Sequence, residues 1–425
     1  MRKLVIAAVI IAVALNLAGC WSQKNMSDLA FVMGIGFDAP PEGVDPEMNE
    51  YLSLQIAVTR SFGQEASGAG AEPVWVTSAL GKGPADAEQS IARQIGRVIF
   101  YGHTAAIVVG KERAEKGLEG ILDAIERFPG FRRSILLFIV DGEAKGVLEA
   151  MPKLDQISVM AMLRMVRHTG ITYSIPFGDF VAQTESEFIE GALPITDTVP
   201  PGGHDVQKTR DKGNQEGGQK GDKEGGKEGE GGSGGGQGGK GQGGDTSSQE
   251  KIIHMGGVAV FRGKKMVGSL EGSASEGFLL FKEQYRNIGY TIKTQDFGDM
   301  GVIIRKLNVK PEVNIVNNRL QIRIKTKFWA SITQVEIQQD FTDRDVREKA
   351  ARILGDKIAN DIKLAITTAQ SYGSDVFGFG GHLFRKNPKL WQKHKSNWPE
   401  LFSNAEVHSE ATGDVIRTGI IRRSN

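Results

Sequence analysis

Alternation of apolar and polar residues is clearest at 51–60, YLSLQIAVTR, where Leu52, Leu54, Ile56 and Val58 alternate with other side chains. A period of two is that of a strand with one face in a core. The apolar run DLAFVMGIGFD at 28–38 predicts a preceding strand, and the Pro-, Glu- and Asn-rich residues between them predict a hairpin. Helical spacing takes over at Pro84, with Ala87, Ile91, Ile95 and Val98 on one face. HTAAIVVG (103–110) reads as a short strand. One helix is predicted from Lys111 to Phe128 through Ala114, Leu118, Ile121, Leu122 and Ile125, ended by Pro129-Gly130. SILLFIVD (134–141) is a further strand. Strand, helix, strand, helix, strand predicts a βαβ-like unit against the first hairpin. Residues 142–190 read as mainly helical, at 147–151, 157–166 and 177–188.

Further on, 255–272 predicts two short strands about Arg262-Gly263-Lys264. Residues 311–336 predict a hairpin turning at Asn317-Asn318, a pair that tolerates positive φ. Leu320, Ile322, Ile324 and Phe328 share one face of its second strand, and Gln321, Arg323, Lys325 and Lys327 the other. The longest helix starts at a capping-box-like Thr342 and Asp345, runs through Val346, Ala350, Leu354, Ile358, Ile362 and Ile366 to Tyr372, and stops at Gly373. Its apolar stripe needs a sheet to cover it; a partner-binding coiled coil is the competing reading.

The start of the chain follows a different rule. Arg2 and Lys3 precede Leu4–Ala18, apolar apart from Asn16, and Cys20 is the only cysteine in the chain. A charged segment, a short apolar segment and a small-residue boundary describe a secretory signal peptide. Leu17-Ala18-Gly19-Cys20 looks like the lipobox of bacterial lipoproteins, in which the thiol is lipidated and the chain is cut before it. An uncleaved helix with an incidental cysteine is the plainer alternative. The lipobox implies a mature chain from Cys20, outside the cytoplasm and held to a membrane by acyl chains. One cysteine allows no disulfide within the chain, so its domains rest on their cores. The charge balance is near zero, 52 Lys and Arg against 51 Asp and Glu, which argues against nucleic-acid binding.

Between Gly202 and Gly244 there are 19 glycines in 43 residues, and Val206 is the only large aliphatic. Such a segment buries too little to offset its conformational entropy. The expected organisation is therefore multi-domain α+β: a signal peptide at 1–19, an N-terminal α/β domain at 20–145, and a small middle domain at 146–200 and 251–272. A Gly-rich linker or insert occupies 201–250. The last domain, 273–425, sets one long helix against an antiparallel sheet.

Catalytic chemistry finds little support. The seven histidines lack close ligand spacing, Gly34-Ile35-Gly36 has no third glycine, and Gly81-Lys82-Gly83 lacks the frame of a phosphate loop. No cofactor or metal is expected, and a lipid-anchored envelope enzyme is the least supported reading.

Four stretches together carry a family resemblance: GCWSQKNMSDLAFVMGIGFD (19–38), PVWVTSALGKGPADAEQSIARQIGRVIFYGHTAAIVVG (73–110), MGGVAVFRGKKMVGSLEG (255–272), and 374–421. The last contains Asp375, Phe377, Gly378, Phe379, Gly380, Pro388, Trp391, Trp398 and Phe402 in a D-x-F-G-F-G…P-x-x-W…W…F pattern. The chain resembles the C subunit of bacterial spore germinant receptors, the Ger(x)C lipoprotein family, over nearly all of its mature length. Two features depart from that family: Ser22, Gln23, Lys24, Asn25 and Met26 stand where a charged run usually follows Cys-Trp, and the Gly-rich insert is unusual.

The resemblance implies a three-domain α+β ectodomain on the outer face of the spore inner membrane. It implies two multi-pass partner subunits, one permease-like, and no catalytic activity. The alternative is a lipid-anchored solute-binding protein delivering a small nutrient to a transporter. Cys20 is the expected lipid attachment site. Trp391 and Trp398, seven apart, would share one helical face. With Phe377 and Phe379 they form either core packing or a partner-facing patch, since Trp is enriched at interaction hot spots.

Overall fold

The computed structural model describes Arg2 and residues 25–58, 72–128, 130–170, 172–199, 252–284, 289–337 and 339–417. The expected signal peptide, Cys20 and the Gly-rich segment lie outside them.

β1 (Leu29–Asp38) and β2 (Glu50–Ala57) form the expected antiparallel hairpin, Phe37 opposite Leu52. β3 (Val74–Gly81) extends it. Pro84 opens α1 (Pro84–Ile95), where a missing N–H costs nothing. Gly96, at φ 64°, ends α1. Val98 is therefore not on the helix face predicted for it; it opens β4 (Val98–Phe100).

β5 (Ala106–Gly110) runs parallel to β1. The single helix expected over 111–128 is two, α2 (Lys111–Lys116) and α3 (Glu119–Arg127). Gly117 at φ 118° breaks it, and the Leu118 N–H donates to the Lys264 carbonyl at 2.8 Å. β6 (Leu136–Val140) follows in parallel. α4 (Ala144–Leu148), α5 (Ser158–Thr169) and α6 (Phe177–Thr184) fill the region read as helical. β7 (Ala192–Val199) lies parallel to β6, and β8 (Ile252–Arg262) and β9 (Lys265–Leu270) continue as an antiparallel meander.

These strands form one nine-stranded sheet in the order β3-β2-β1-β5-β6-β7-β8-β9, with β4 beside β1. The sheet runs across the boundary expected between residues 145 and 146, because β6 on one side of it pairs with β7 on the other.

A second sheet has the order β10-β11-β12-β13: β10 (Gly289–Thr294), β11 (Gly298–Val316), β12 (Arg319–Val335) and β13 (Glu406–Arg417). Asn317 and Asn318 make its tight turn at φ 50° and 60°, as the sequence predicts. The sheet expected to be antiparallel is mixed, because β13 pairs in parallel with β12.

Between them runs α8 (Arg344–Ser371). Its cap is Asp343, whose carboxylate accepts from the Asp345 N–H at 2.8 Å, not the expected Thr342. The Thr342 hydroxyl donates to Asp340 at 2.7 Å. Leu354, Ile358, Ile362 and Ile366 of α8 are fully buried against the second sheet and α7 (Ser273–Phe281), so it is a core helix. A Cβ on Gly277 would meet the Asp361 carbonyl oxygen at 2.0 Å, so glycine sets the approach of α7 to α8. Three short helices, α9 (Phe379–Lys386), α10 (Pro388–His394) and α11 (Trp398–Ser403), lead into β13. One buried cluster joins a face of the first sheet to the second sheet; a smaller one lies under α4 and α5.

Candidate functional site

Asp375 is the centre of the D-x-F-G-F-G segment. It is 3% exposed. One carboxylate oxygen accepts from the N–H groups of Gly378 (2.9 Å) and Phe379 (3.1 Å), and the other from Gly380 N–H (2.8 Å) and Trp398 Nε1 (3.1 Å). Burial pushes its pKa up, and the four donors oppose that shift. Gly378 sits at φ 80°, in the left-handed region glycine favours. A Cβ on Gly380 would lie 2.9 Å from the Trp391 ring, so the second glycine admits that indole.

The same segment joins the halves of the molecule. Glu190 N–H donates to the Asp375 carbonyl at 3.1 Å, and the Ser374 hydroxyl donates to Phe261 O at 2.5 Å. Phe188 packs on Phe384 at 4.7 Å and on Trp391 at 5.4 Å.

This geometry corrects the partner-facing alternative for four residues. Trp391, Trp398, Phe377 and Phe379 are 0%, 6%, 3% and 0% exposed, so they present no patch. Nor do the two tryptophans share a helix: Trp391 is on α10 and Trp398 opens α11, with their rings edge to face at 5.1 Å. The aromatic signal is real, and its role is to lock the C-terminal segment into the core. Cys20 lies outside the described residues.

Sequence reasoning missed a crevice of about 480 Å³, lined by charged and apolar side chains, at the carboxyl ends of the parallel strands. Lys111 directly follows β5 and Asp141 directly follows β6; they pair at 3.0 Å. That hydrogen bond holds the Lys111 pKa above its ordinary value. Asp197 of β7 and Glu276 of α7 add carboxylates, and burial raises the pKa of Glu276. In open sheets with parallel strands, the carboxyl ends are where ligands bind. The signal was available: Lys111 and Asp141 are the charged residues that close the predicted strands 103–110 and 134–141.

Asp38 closes β1 at the same end. Its carboxylate accepts from Ala144 N–H (2.7 Å) and Lys145 N–H (3.1 Å), and burial pushes its pKa up to about 6. Among the described residues no group of three or more His, Cys, Asp or Glu is placed to hold a metal ion, and no helix is long and apolar enough to cross a membrane.

Two family models match the chain: the spore germination protein N-terminal domain over 22–198, and the spore germination B3/GerAC-like C-terminal domain over 256–419. The chain belongs to this family of spore germination proteins. It is 23% identical over 437 residues to spore germination protein KC of Bacillus subtilis (strain 168), covering 99% of this chain and 97% of that one. Spore germination protein B3 of the same organism is 22% identical over 418 residues, covering 96% of each. The crystal structure of the GerBC protein superposes with a TM-score of 0.54 over 90% of this chain and 97% of that one. At 14% identity that likeness shows the fold. The chain thus has the α+β, multi-domain fold and the family that its motifs imply, and a role in germination.

Proposed function

We propose that this protein is a non-enzymatic, lipid-anchored subunit of a nutrient germinant receptor. It assembles with two multi-pass membrane subunits, one permease-like, on the outer face of the spore inner membrane. The observation that carries this reading is likeness from end to end, through both family domains, to germination proteins. The lipobox-like Leu17-Ala18-Gly19-Cys20 supports the anchor. The test is affinity purification of the full-length protein from detergent-solubilised spore membranes, with mass spectrometry of partners and of the N-terminal peptide. Two multi-pass proteins and a diacylated Cys20 are the expected result. A lipidated protein recovered alone would sink the receptor assembly.

One observation favours a second reading, a solute-binding protein serving a transporter: the mixed-charge crevice at Lys111, Asp141 and Asp197 has the volume of a small-molecule site. Calorimetry of residues 21–425 with amino acids and sugars separates the two. Saturable heats that Lys111→Ala abolishes would favour this second reading.

A further inference from the structure

The described chain begins beside a small apolar surface. Met26 is 75% exposed, Val98 49% and Phe100 36%. In the parallel β1–β4 ladder Leu29 lies beside Val98 and Phe31 beside Phe100. The Phe31 and Phe100 rings meet edge to face at 5.7 Å, and His103 lies 5.5 Å from each. Only Ile99 of β4 packs on the core; the two side chains flanking it turn outward. Burial among the described residues does not account for them.

Arginines border this surface. Arg93 is in the last turn of α1, and Arg97 directly precedes β4. Arg132 follows Phe131, whose ring packs 4.9 Å from that of Tyr101, the residue after Phe100. All three arginines are exposed. The nearby acids are Asp28, Glu88 and Glu126; Glu88 is engaged by the Tyr101 hydroxyl, and Glu126 lies 3.6 Å from Arg133. Guanidinium groups around apolar side chains match an anionic headgroup layer over acyl chains.

Chain direction supplies the third observation. β1, β5 and β6 all start at this end, and the crevice lies at the other. β1 alone rises about 33 Å between them. Cys20 is five residues before Asn25, a reach of at most about 18 Å.

We infer that this end of the first sheet rests on an anionic lipid bilayer. Met26, Val98 and Phe100 sit at the headgroup–acyl boundary, with Arg93, Arg97 and Arg132 against lipid phosphates. The inference rests on the proposed lipid at Cys20. An acyl anchor tethers a domain without orienting it; the apolar and basic groups supply the orientation. The crevice then opens away from the membrane surface.

The lone cysteine makes the test clean. Once Cys20 carries lipid, Val98→Cys introduces the only free thiol. The full-length lipidated variant, labelled there with an environment-sensitive fluorophore, is reconstituted into phosphatidylglycerol–phosphatidylethanolamine vesicles containing spin-labelled lipid. Glu143→Cys, exposed at the opposite strand ends beside Asp38, is the control. Lipid-borne quenching at position 98 should exceed that at 143 by about threefold. Arg93→Glu with Arg97→Glu should reduce it by about half.

Equal quenching at 98 and 143 in a diacylated protein overturns the orientation and leaves the anchor standing. Shielding of position 98 from aqueous iodide only when the membrane subunits are co-reconstituted, without lipid quenching, assigns the surface to a protein partner and also overturns it. An unmodified Cys20 in the same sample's N-terminal peptide removes the anchor and the orientation together.

Discussion

Trp398 Nε1 donates to Asp375 Oδ2 at 3.1 Å, inside the core and 23 residues away in sequence. That bond fixes α11 against the start of α9, and through Glu190 and Ser374 it reaches the first sheet. Removing the two partners should not cost the same. Asp375→Ala leaves three buried donors, the Phe379 and Gly380 N–H groups and Trp398 Nε1, without an acceptor, while the Gly378 N–H keeps the carbonyl of residue 375 at 3.3 Å. Unsatisfied buried donors cost about 1–3 kcal/mol each. Trp398→Phe keeps most of the packing and removes one bond. We expect Asp375→Ala to lower stability by at least about 3 kcal/mol and Trp398→Phe by about 1–2 kcal/mol, read from urea midpoints at constant slope. Equal shifts would show that the carboxylate is not the organising group.

Gly277 has no room for a methyl group, since the Asp361 carbonyl oxygen would lie 2.0 Å from it. Gly277→Ala should therefore push α7 from α8 and cost about 1–3 kcal/mol. Thermal unfolding checks this. An unchanged or raised melting temperature would mean that the two helices are not held at that separation.

Arg113 and Glu50 form a buried pair at 2.9 Å, with side chains 12% and 1% exposed. Burial raises the Glu50 pKa, and Arg113 opposes the shift. Arg113→Met strands the carboxylate and should cost about 3–5 kcal/mol. Adding Glu50→Leu should recover most of that loss, because the stranded charge goes with it. A double variant as unstable as the single one would contradict this account.

Asp38 sets a pH dependence. Its folded pKa of about 6 stands above the ordinary 3.8, chiefly through burial. The folded state therefore binds a proton more tightly than the unfolded chain. The stability from this group is full below pH 3.8 and is lost as pH rises through 6, by up to about 3 kcal/mol. Asp38→Asn should flatten the stability–pH curve between pH 4 and 6. A slope identical to that of the parent would assign the dependence to other groups.

Val199 and Ile252, which flank the Gly-rich segment, are paired in the β7–β8 ladder. Bringing its ends together is thus already done by the sheet, and loop length enters only logarithmically. Removing residues 205–245 should leave the fold intact and raise stability by about 1 kcal/mol. A large fall in melting temperature would show that the segment contributes packing.

Local patterns proved legible where one interaction dominates. The 51–58 alternation became β2, with Leu52, Leu54 and Ile56 buried as expected, although Ser53 and Gln55 are buried too, so the strand has both faces covered and not one. Asn317-Asn318 took positive φ at the turn they predict. The apolar spacing from 346 to 369 became the buried face of α8. Misreadings arose where a distant group intervened. Apolar spacing runs on through Leu118, yet the Lys264 carbonyl takes its N–H and Gly117 breaks the helix. Residues 406–417 carry no strong alternation, and only the pairing partner β12 makes them a strand. Lys111 and Asp141 meet only because β5 and β6 are neighbours.

By itself the sequence determined the elements with strong periodicity, the lone Cys20, the Gly-rich segment and the family motif, because each is written in adjacent residues. The tertiary structure decided which face of each element is inside. Trp391, Trp398, Phe377 and Phe379 look alike as core or as interface in one dimension, since both need large apolar side chains. Phe188, Phe278 and Phe281, distant in sequence, pack against them and make them core. Val98, read from its spacing as part of a helix face, faces outward with Phe100 instead, because only Ile99 of β4 packs on the core.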